Sequence, residues 1–271
     1  MGKLLENNYH CHTYRCGHAD GEDEDYVLEA IKGGYKHLGF SDHIFFPCFE
    51  QPKMRGSYSL LNDYVSSIKG LAKKYQKEIT LHLGFEAEYS PLFDNYYHEL
   101  LDKGIVQYLI LGEHGYFPHK GDFRFFSNMA DPYLALHLYV DNLLLGMRTG
   151  LFKYVAHPDL YMIWFEEWNE ETEWAAKTII SEAIKLNLPL EINMGPSRWG
   201  RRRLINGKEE FYYPFSSFWD IASKLGATCI YGVDAHLPNE LNDTPFDLFE
   251  KFTLDHNLKP IMSLDIPPLI N

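Results

Sequence analysis

Short apolar runs alternate with longer helix-patterned stretches along the chain, and six of the runs close on a histidine or an acid. The runs fall near 4–12, 38–43, 79–86, 106–114, 154–157, 188–193 and 228–234. Helical spacing of apolar residues fills the intervals near 25–33, 59–76, 92–103, 131–149, 170–187, 215–225 and 245–257. Seven βα units of this kind specify an α/β fold with a parallel sheet covered by helices. An open doubly wound sheet and a closed barrel share that alternation, so the polar ends of the runs decide between them. A barrel gathers the C-terminal ends of its strands around one axis, whereas an open sheet spreads them along a line. Ligand-type residues end runs one to five and seven, which favours barrel-like closure. No linker or composition shift divides residues 1–271, so a single domain is expected.

Those ends carry His10 and His12, His43, Glu86, His114, His157, and Asp234 with His236; His18 follows shortly after the first run. Alternate residues of a strand face the same way, so His10 and His12 can reach one ion while Cys11 turns aside, and Asp234 pairs with His236 likewise. Imidazole and carboxylate ligands suit Zn, Mn or Fe and leave room for a bound water. Nine such groups exceed what one ion needs, so a multinuclear hydrolytic centre is expected. His37, His82, His98, His119, His137 and His256 end no run with a partner and are read as ordinary core or surface residues.

Composition narrows the setting. Lys and Arg number 25 against 38 Asp and Glu, a formal charge of −13, which argues against nucleic-acid polymers as partners because those need a basic surface. A small anion remains compatible, since bound cations dominate the local field. Four cysteines (Cys11, Cys16, Cys48 and Cys229) without CxxC pairing point to a reducing compartment. The start of the chain lacks a signal-type apolar core, and no apolar run approaches the ~20 residues of a membrane helix. A cytoplasmic protein with no membrane contact is therefore expected.

The order His-x-His, His, Asp-His, Glu, His, His-Pro and Asp-x-His, running from His10 to His236, resembles the PHP (polymerase and histidinol phosphatase) superfamily, and every ligand position is filled. The resemblance implies a distorted, TIM-like (β/α)7 barrel and three divalent metal ions. It places His10, His12, Glu86 and Asp234 on one ion, Glu86, His114 and His157 on a second, and His18, His43 and His236 on a third. It further implies a phosphomonoesterase acting on a small-molecule phosphate monoester, with L-histidinol phosphate of histidine biosynthesis as the substrate for a chain of this kind. A hydroxide bridging two ions would attack phosphorus, and Asp234 or His236 would protonate the leaving alcohol. Related substrates are nucleotides or phosphotyrosine. An amidohydrolase-type reading is disfavoured because Val106 to His114 contains no lysine to bridge two metals.

Substrate contacts are less sharply marked. A phosphate dianion suits the guanidinium fork, and Arg198, just past run six, is the first expectation, with Arg15 the second. Arg201, Arg202 and Arg203 are read as solvated or structural. Glu113 is a candidate acceptor for a substrate cation, although strand alternation turns it from the face of His114. Asp42 is expected to orient a ligand imidazole or cap a turn. Two aromatic-rich loops, 44–58 and 115–130, are expected to shape a pocket.

Overall fold

A computed structural model describes residues 5–198, 202–267 and 269. Seven parallel strands stand side by side in chain order: β1 (Asn7–Asn8), β2 (His37–His43), β3 (Thr80–Ala87), β4 (Tyr108–Leu111), β5 (Phe152–Val155), β6 (Leu190–Asn193) and β7 (Cys229–Gly232). The first and last strands meet just beyond their ends, where Cys11 bridges Ala235 in parallel register. There the His12 N–H donates to Ala235 O at 2.9 Å, and the Val233 N–H donates to Asn8 Oδ1, also at 2.9 Å. The sheet is thus a nearly closed barrel, drawn together at the rim that carries the histidines.

Among the described residues, seven helices of nine residues or more follow the strands: α1 (Asp23–Lys32), α2 (Leu61–Lys74), α3 (Asp94–Asp102), α4 (Pro132–Arg148), α5 (Glu170–Leu186), α6 (Ser216–Leu225) and α7 (Phe246–Asp255). Their starts are chemically marked. The Asp131 carboxylate accepts from the N–H groups of Tyr133 and Leu134, with Pro132 in the first turn of α4. Asn169 and Thr172 form a reciprocal capping box on α5. Side chains alternate between two apolar layers along β4. Leu109 and Leu111 join the large cluster under the helices, while Tyr108 and Ile110 pack with Tyr9, Tyr154 and Ile230 in a second cluster.

Three stretches differ from the sequence expectation. The first strand is shorter than 4–12, because side chains take over its ladder: Ser41 Oγ accepts the Cys11 N–H at 3.2 Å and Asn8 serves Val233. The fourth stops at Leu111 and gives way to a β-hairpin, Gly115–His119 with Asp122–Phe125, inside the expected 115–130 loop. A second hairpin, Arg202–Ile205 with Lys208–Phe211, turns on Asn206 and Gly207, both at positive φ. Beyond α7, Ile261 forms one parallel bridge with Ile230 of β7. No helix among the described residues is long and apolar enough to cross a membrane.

Candidate metal centre

The barrel delivers ligand-type side chains to one rim because every parallel strand ends there. β2 ends on His43 and β3 carries Glu86. Segments just past β1, β4, β5 and β7 supply His10 and His12, His114, His157, and Asp234 with His236. His18 comes from the turn after a short helix, Tyr14–Cys16. His157 and Asp234 sit at φ 30° and 54°, a backbone region that non-glycine residues adopt at a cost and that recurs at functional sites.

Glu86 is the hub. Its Oε1 lies 2.7 Å from His157 Nε2 and 3.7 Å from His114 Nε2; its Oε2 lies 3.0 Å from His43 Nδ1 and 3.6 Å from both His10 Nε2 and His12 Nε2. Asp234 Oδ1 stands 3.1 Å from His12 Nε2 and 3.4 Å from His10 Nε2. His236 stacks on His12 with centroids 4.1 Å apart, and its Nε2 faces His18 Nε2 at 3.1 Å. All nine sequence-expected ligand residues are therefore in one cluster.

The donor set fits metal ions. Ligand atoms of His10, His12 and Asp234 lie within 4.8 Å of one another, as do those of His12, His43 and His236, and those of His43, Glu86 and His114. Asp234 Oδ1 is buried without a hydrogen-bond partner, and imidazole nitrogens face one another at 3.1–3.2 Å, an arrangement a shared cation satisfies. Burial opposes charge on Glu86 and Asp234, yet the surrounding histidines outweigh it and hold both carboxyls well below the usual range. Burial and the neighbouring His12 push His236 down to about 3, leaving its ring neutral and fit to coordinate.

The sequence profile of the PHP domain matches residues 8–195. The chain belongs to the PHP family. A Deinococcus radiodurans protein named "Probable histidinol-phosphatase" is 24% identical over 241 residues, covering 86% of each chain. The Bacillus subtilis histidinol-phosphatase is 28% identical over 98 residues, covering 34% of this chain and 37% of that one. The structure of a Lactococcus lactis histidinol phosphate phosphatase, complexed with Zn, L-histidinol and phosphate, superposes with a TM-score of 0.72. It is 17% identical and covers 97% of this chain and all of that one. Asp234 and His236 lie beyond the matched PHP segment, just past the strand that closes the barrel.

The candidate ligands are held from behind by residues that the sequence reading missed. Glu191 on β6 is fully buried; its Oε1 sits 2.8 Å from His10 Nδ1, and its Oε2 accepts the His157 N–H and the Asn193 amide. Glu88 sits 3.1 Å from His114 Nδ1 and is clamped by Arg55 through two 3.0 Å bonds. Such carboxylate partners fix a ligand imidazole's orientation and tautomer. Asp42 Oδ1 lies 3.6 Å from His12 Nδ1, beyond hydrogen-bond reach, while its Oδ2 accepts from the Thr13 hydroxyl. Signals for these residues exist in the sequence. Glu88 shares the face of Glu86 by strand alternation, and Glu191 is a charge inside the apolar run Leu190 to Ile192.

The expected substrate contacts are placed differently. Arg198 donates to the carbonyls of Val233 and, at 2.7 Å, Asp234, and pairs with Glu240 at 3.3 Å. It thereby satisfies carbonyls of the left-handed turn that presents Asp234. Arg15 is buried in ion pairs with Asp23 at 2.8 Å and Asp63 at 2.7 Å. Glu113 points its Oε1 at the Tyr89 N–H and is pushed well above the usual carboxylate range by burial. Both arginines and Glu113 therefore differ from the expectation of substrate contact, because each is committed to protein groups. Arg203 donates to Met162 and Phe165 carbonyls, a structural placement; Arg202 is exposed, and Arg201 lies outside the described residues. Cys11 and Cys16 are buried free thiols, and burial raises both. Cys16 lies with His12 and Asp42 behind the cluster.

A cleft of about 390 Å³ opens over the cluster, walled by Met54, Leu160, Tyr213 and Leu237. Among the described residues lining it there is no lysine or arginine. An anionic substrate in this cleft would meet cations only through bound metal or protonated imidazole.

Proposed function

We propose that the chain is a metal-dependent phosphomonoesterase that hydrolyses L-histidinol phosphate to L-histidinol and phosphate. The carrying observation is the gathering of seven imidazoles with the carboxylates of Glu86 and Asp234 in one cluster, beneath a cleft whose described lining holds no lysine or arginine. The names of the Deinococcus, Bacillus and Lactococcus proteins support the choice of substrate.

Three divalent ions, of Zn, Mn or Fe, are proposed at the cluster. His10, His12, Glu86 and Asp234 would hold the first, Glu86, His114 and His157 the second, and His18, His43 and His236 the third. Ions held there supply a water of lowered pKa and charge that stabilises the phosphate oxygens. Glu86 can serve two ions because its oxygens face different histidines. Glu191 and Glu88 keep His10 and His114 pointed inward, so the ligand nitrogens are organised before the substrate arrives. Asp234 and His236 line the cleft and are the proposed route by which a proton from solvent would reach the departing alkoxide oxygen, since neither side chain holds one at rest.

The test is steady-state hydrolysis by metal-loaded protein. Histidinol phosphate should be turned over with a kcat/KM about 100-fold or more above that of p-nitrophenyl phosphate, a difference made by contacts to the leaving group. Equal values would sink the substrate assignment.

A further inference from the structure

The loop that follows β2 reaches over the metal cleft, and a buried side chain joins it to the ligand cluster. Its turn at 51–54 places Met54 in the cleft wall. At the tip, a Cβ on Gly17 would lie 3.2 Å from Lys53 N and Cα, so the tip rests on the chain neighbour of His18. Among the described residues, the backbone hydrogen bonds formed within 47–56 run from the Met54 and Arg55 N–H groups to Gln51 O, each 3.1 Å and inside the turn. Cys48 and Lys53 hold φ 62° and 68°, conformations that persist only where surrounding contacts impose them. Side chains therefore hold the turn down.

Arg55 is the buried one. Its guanidinium lies 5.2 Å from the centroids of both the Phe46 and Phe123 rings. Its Nε donates to Gln51 Oε1 at 2.8 Å and its Nη1 to Ile44 O at 3.3 Å. It also grips Glu88 as a fork, Nη1 to Oε2 and Nη2 to Oε1, each 3.0 Å. Glu88 Oε1 is thus shared, because it faces His114 Nδ1 at 3.1 Å as well. A carboxylate there keeps the ring's proton on Nδ1 and leaves the Nε2 lone pair for an ion. The turn, Arg55, Glu88 and His114 form one chain of contacts from the cleft wall to a proposed ligand.

We propose that 51–56 is a strap that closes over the metal cleft in concert with ion binding, and that Arg55 is the positioning residue that couples the two. The inference rests on the metal-centre reading and adds to it a moving part. When the strap lifts, Arg55 leaves Glu88, and the carboxylate loses the fork that aims it at His114. His114 is then free to turn from the cluster, and its hold on an ion weakens. The coupling is reciprocal: with Nε2 committed to an ion, His114 keeps Nδ1 on Glu88, and Glu88 so placed receives Arg55. Ion binding therefore favours the strap in its place over Gly17, with Met54 in the wall.

Hydrogen exchange at the Met54 and Arg55 amides tests this, in chelator and in saturating zinc, for the native protein, Arg55→Met and Arg55→Lys. In the native protein zinc should slow exchange about tenfold or more, the scale on which carboxylate partners act on metal binding. Arg55→Met should reduce that ratio to less than about threefold and weaken the last-bound zinc about tenfold, with Arg55→Lys restoring part of both. An Arg55 that only braces the loop would speed exchange equally with and without zinc; a ratio unchanged in Arg55→Met overturns the coupling. So does native protein that binds zinc with no change in exchange, a result that needs no variant to fold. Native protein that takes up no zinc would overturn the coupling and the metal centre together. A zinc-dependent strap in a protein that hydrolyses no phosphate ester would uphold the coupling and refute the phosphomonoesterase reading.

Discussion

A Cβ at Gly112 would lie 2.0 Å from Glu86 Oε1, and one at Gly232 would lie 1.7 Å from Glu191 Oε1. These glycines leave room for two buried carboxylates, one among the proposed ligands and one behind His10. Gly112→Ala should therefore lower bound metal and reduce turnover by about 100-fold, the scale of disturbing a ligand's support, while the circular dichroism spectrum is retained. Full metal content in that variant would contradict Glu86 as the shared ligand. Arg198 supports a different expectation. Because its guanidinium holds the Val233 and Asp234 carbonyls, Arg198→Gln should lower thermal stability and metal retention, with inorganic phosphate inhibiting within about threefold of native once metal is restored. A tenfold or greater weakening of phosphate inhibition at full metal content would return Arg198 to the substrate. At this scale the sequence made the candidate ligand residues legible, because all but His18 end an apolar run or lie just past one. It did not reveal what Arg198 and Arg15 bind, since a loop arginine's partners depend on which acceptors the fold brings within reach. Arg15 finds Asp63, far along the chain on α2.

Among the elements, β2 and β3 carry titratable groups at both ends. Opposite the ligand rim, His37 Nδ1 lies 2.9 Å from His82 Nε2, and the rings stack at 5.2 Å. Burial, with His37 adding to it, pushes His82 down from 6.5 to about 4. The fold thus favours the neutral ring, and the unfolded chain takes up the proton first. Stability that is present above 6.5 should be lost as pH falls toward about 4, by on the order of 2–3 kcal/mol. His82→Gln should flatten this loss. Urea midpoints compared with the native protein in chelator should converge as pH drops through that window; a gap independent of pH would exclude His82 as the source. Element positions followed from apolar periodicity, and α4, α5 and α6 fall within a few residues of their expected bounds. The two hairpins did not, although Asn206-Gly207 is a recognised turn pair and Gly121 sits at the tip of the other. Each hairpin strand is only four or five residues long and pairs within its own loop, outside the seven-stranded sheet, so neither fits the βα alternation on which the reading rests.

For the whole molecule, barrel closure and the metal cluster are one event. The ends of β1 and β7 meet at Cys11 and Ala235, each flanked by proposed ligands: His10 and His12 on one side, Asp234 and His236 on the other. Closure was legible because ligand-type residues end six of the seven runs, the first and the last among them, which an open sheet could not have gathered at one point. The weakness of the first strand was not legible, since its ladder depends on the side chains of Asn8 and Ser41. Ions spanning this seam would fasten the first strand to the last, so metal binding and stability should be coupled. The central claim is a multinuclear centre, and elemental analysis of protein purified without chelator tests it most directly. The expected result is about three divalent ions per chain, the number the three proposed ligand sets would hold; fewer than two would contradict a multinuclear hydrolytic centre.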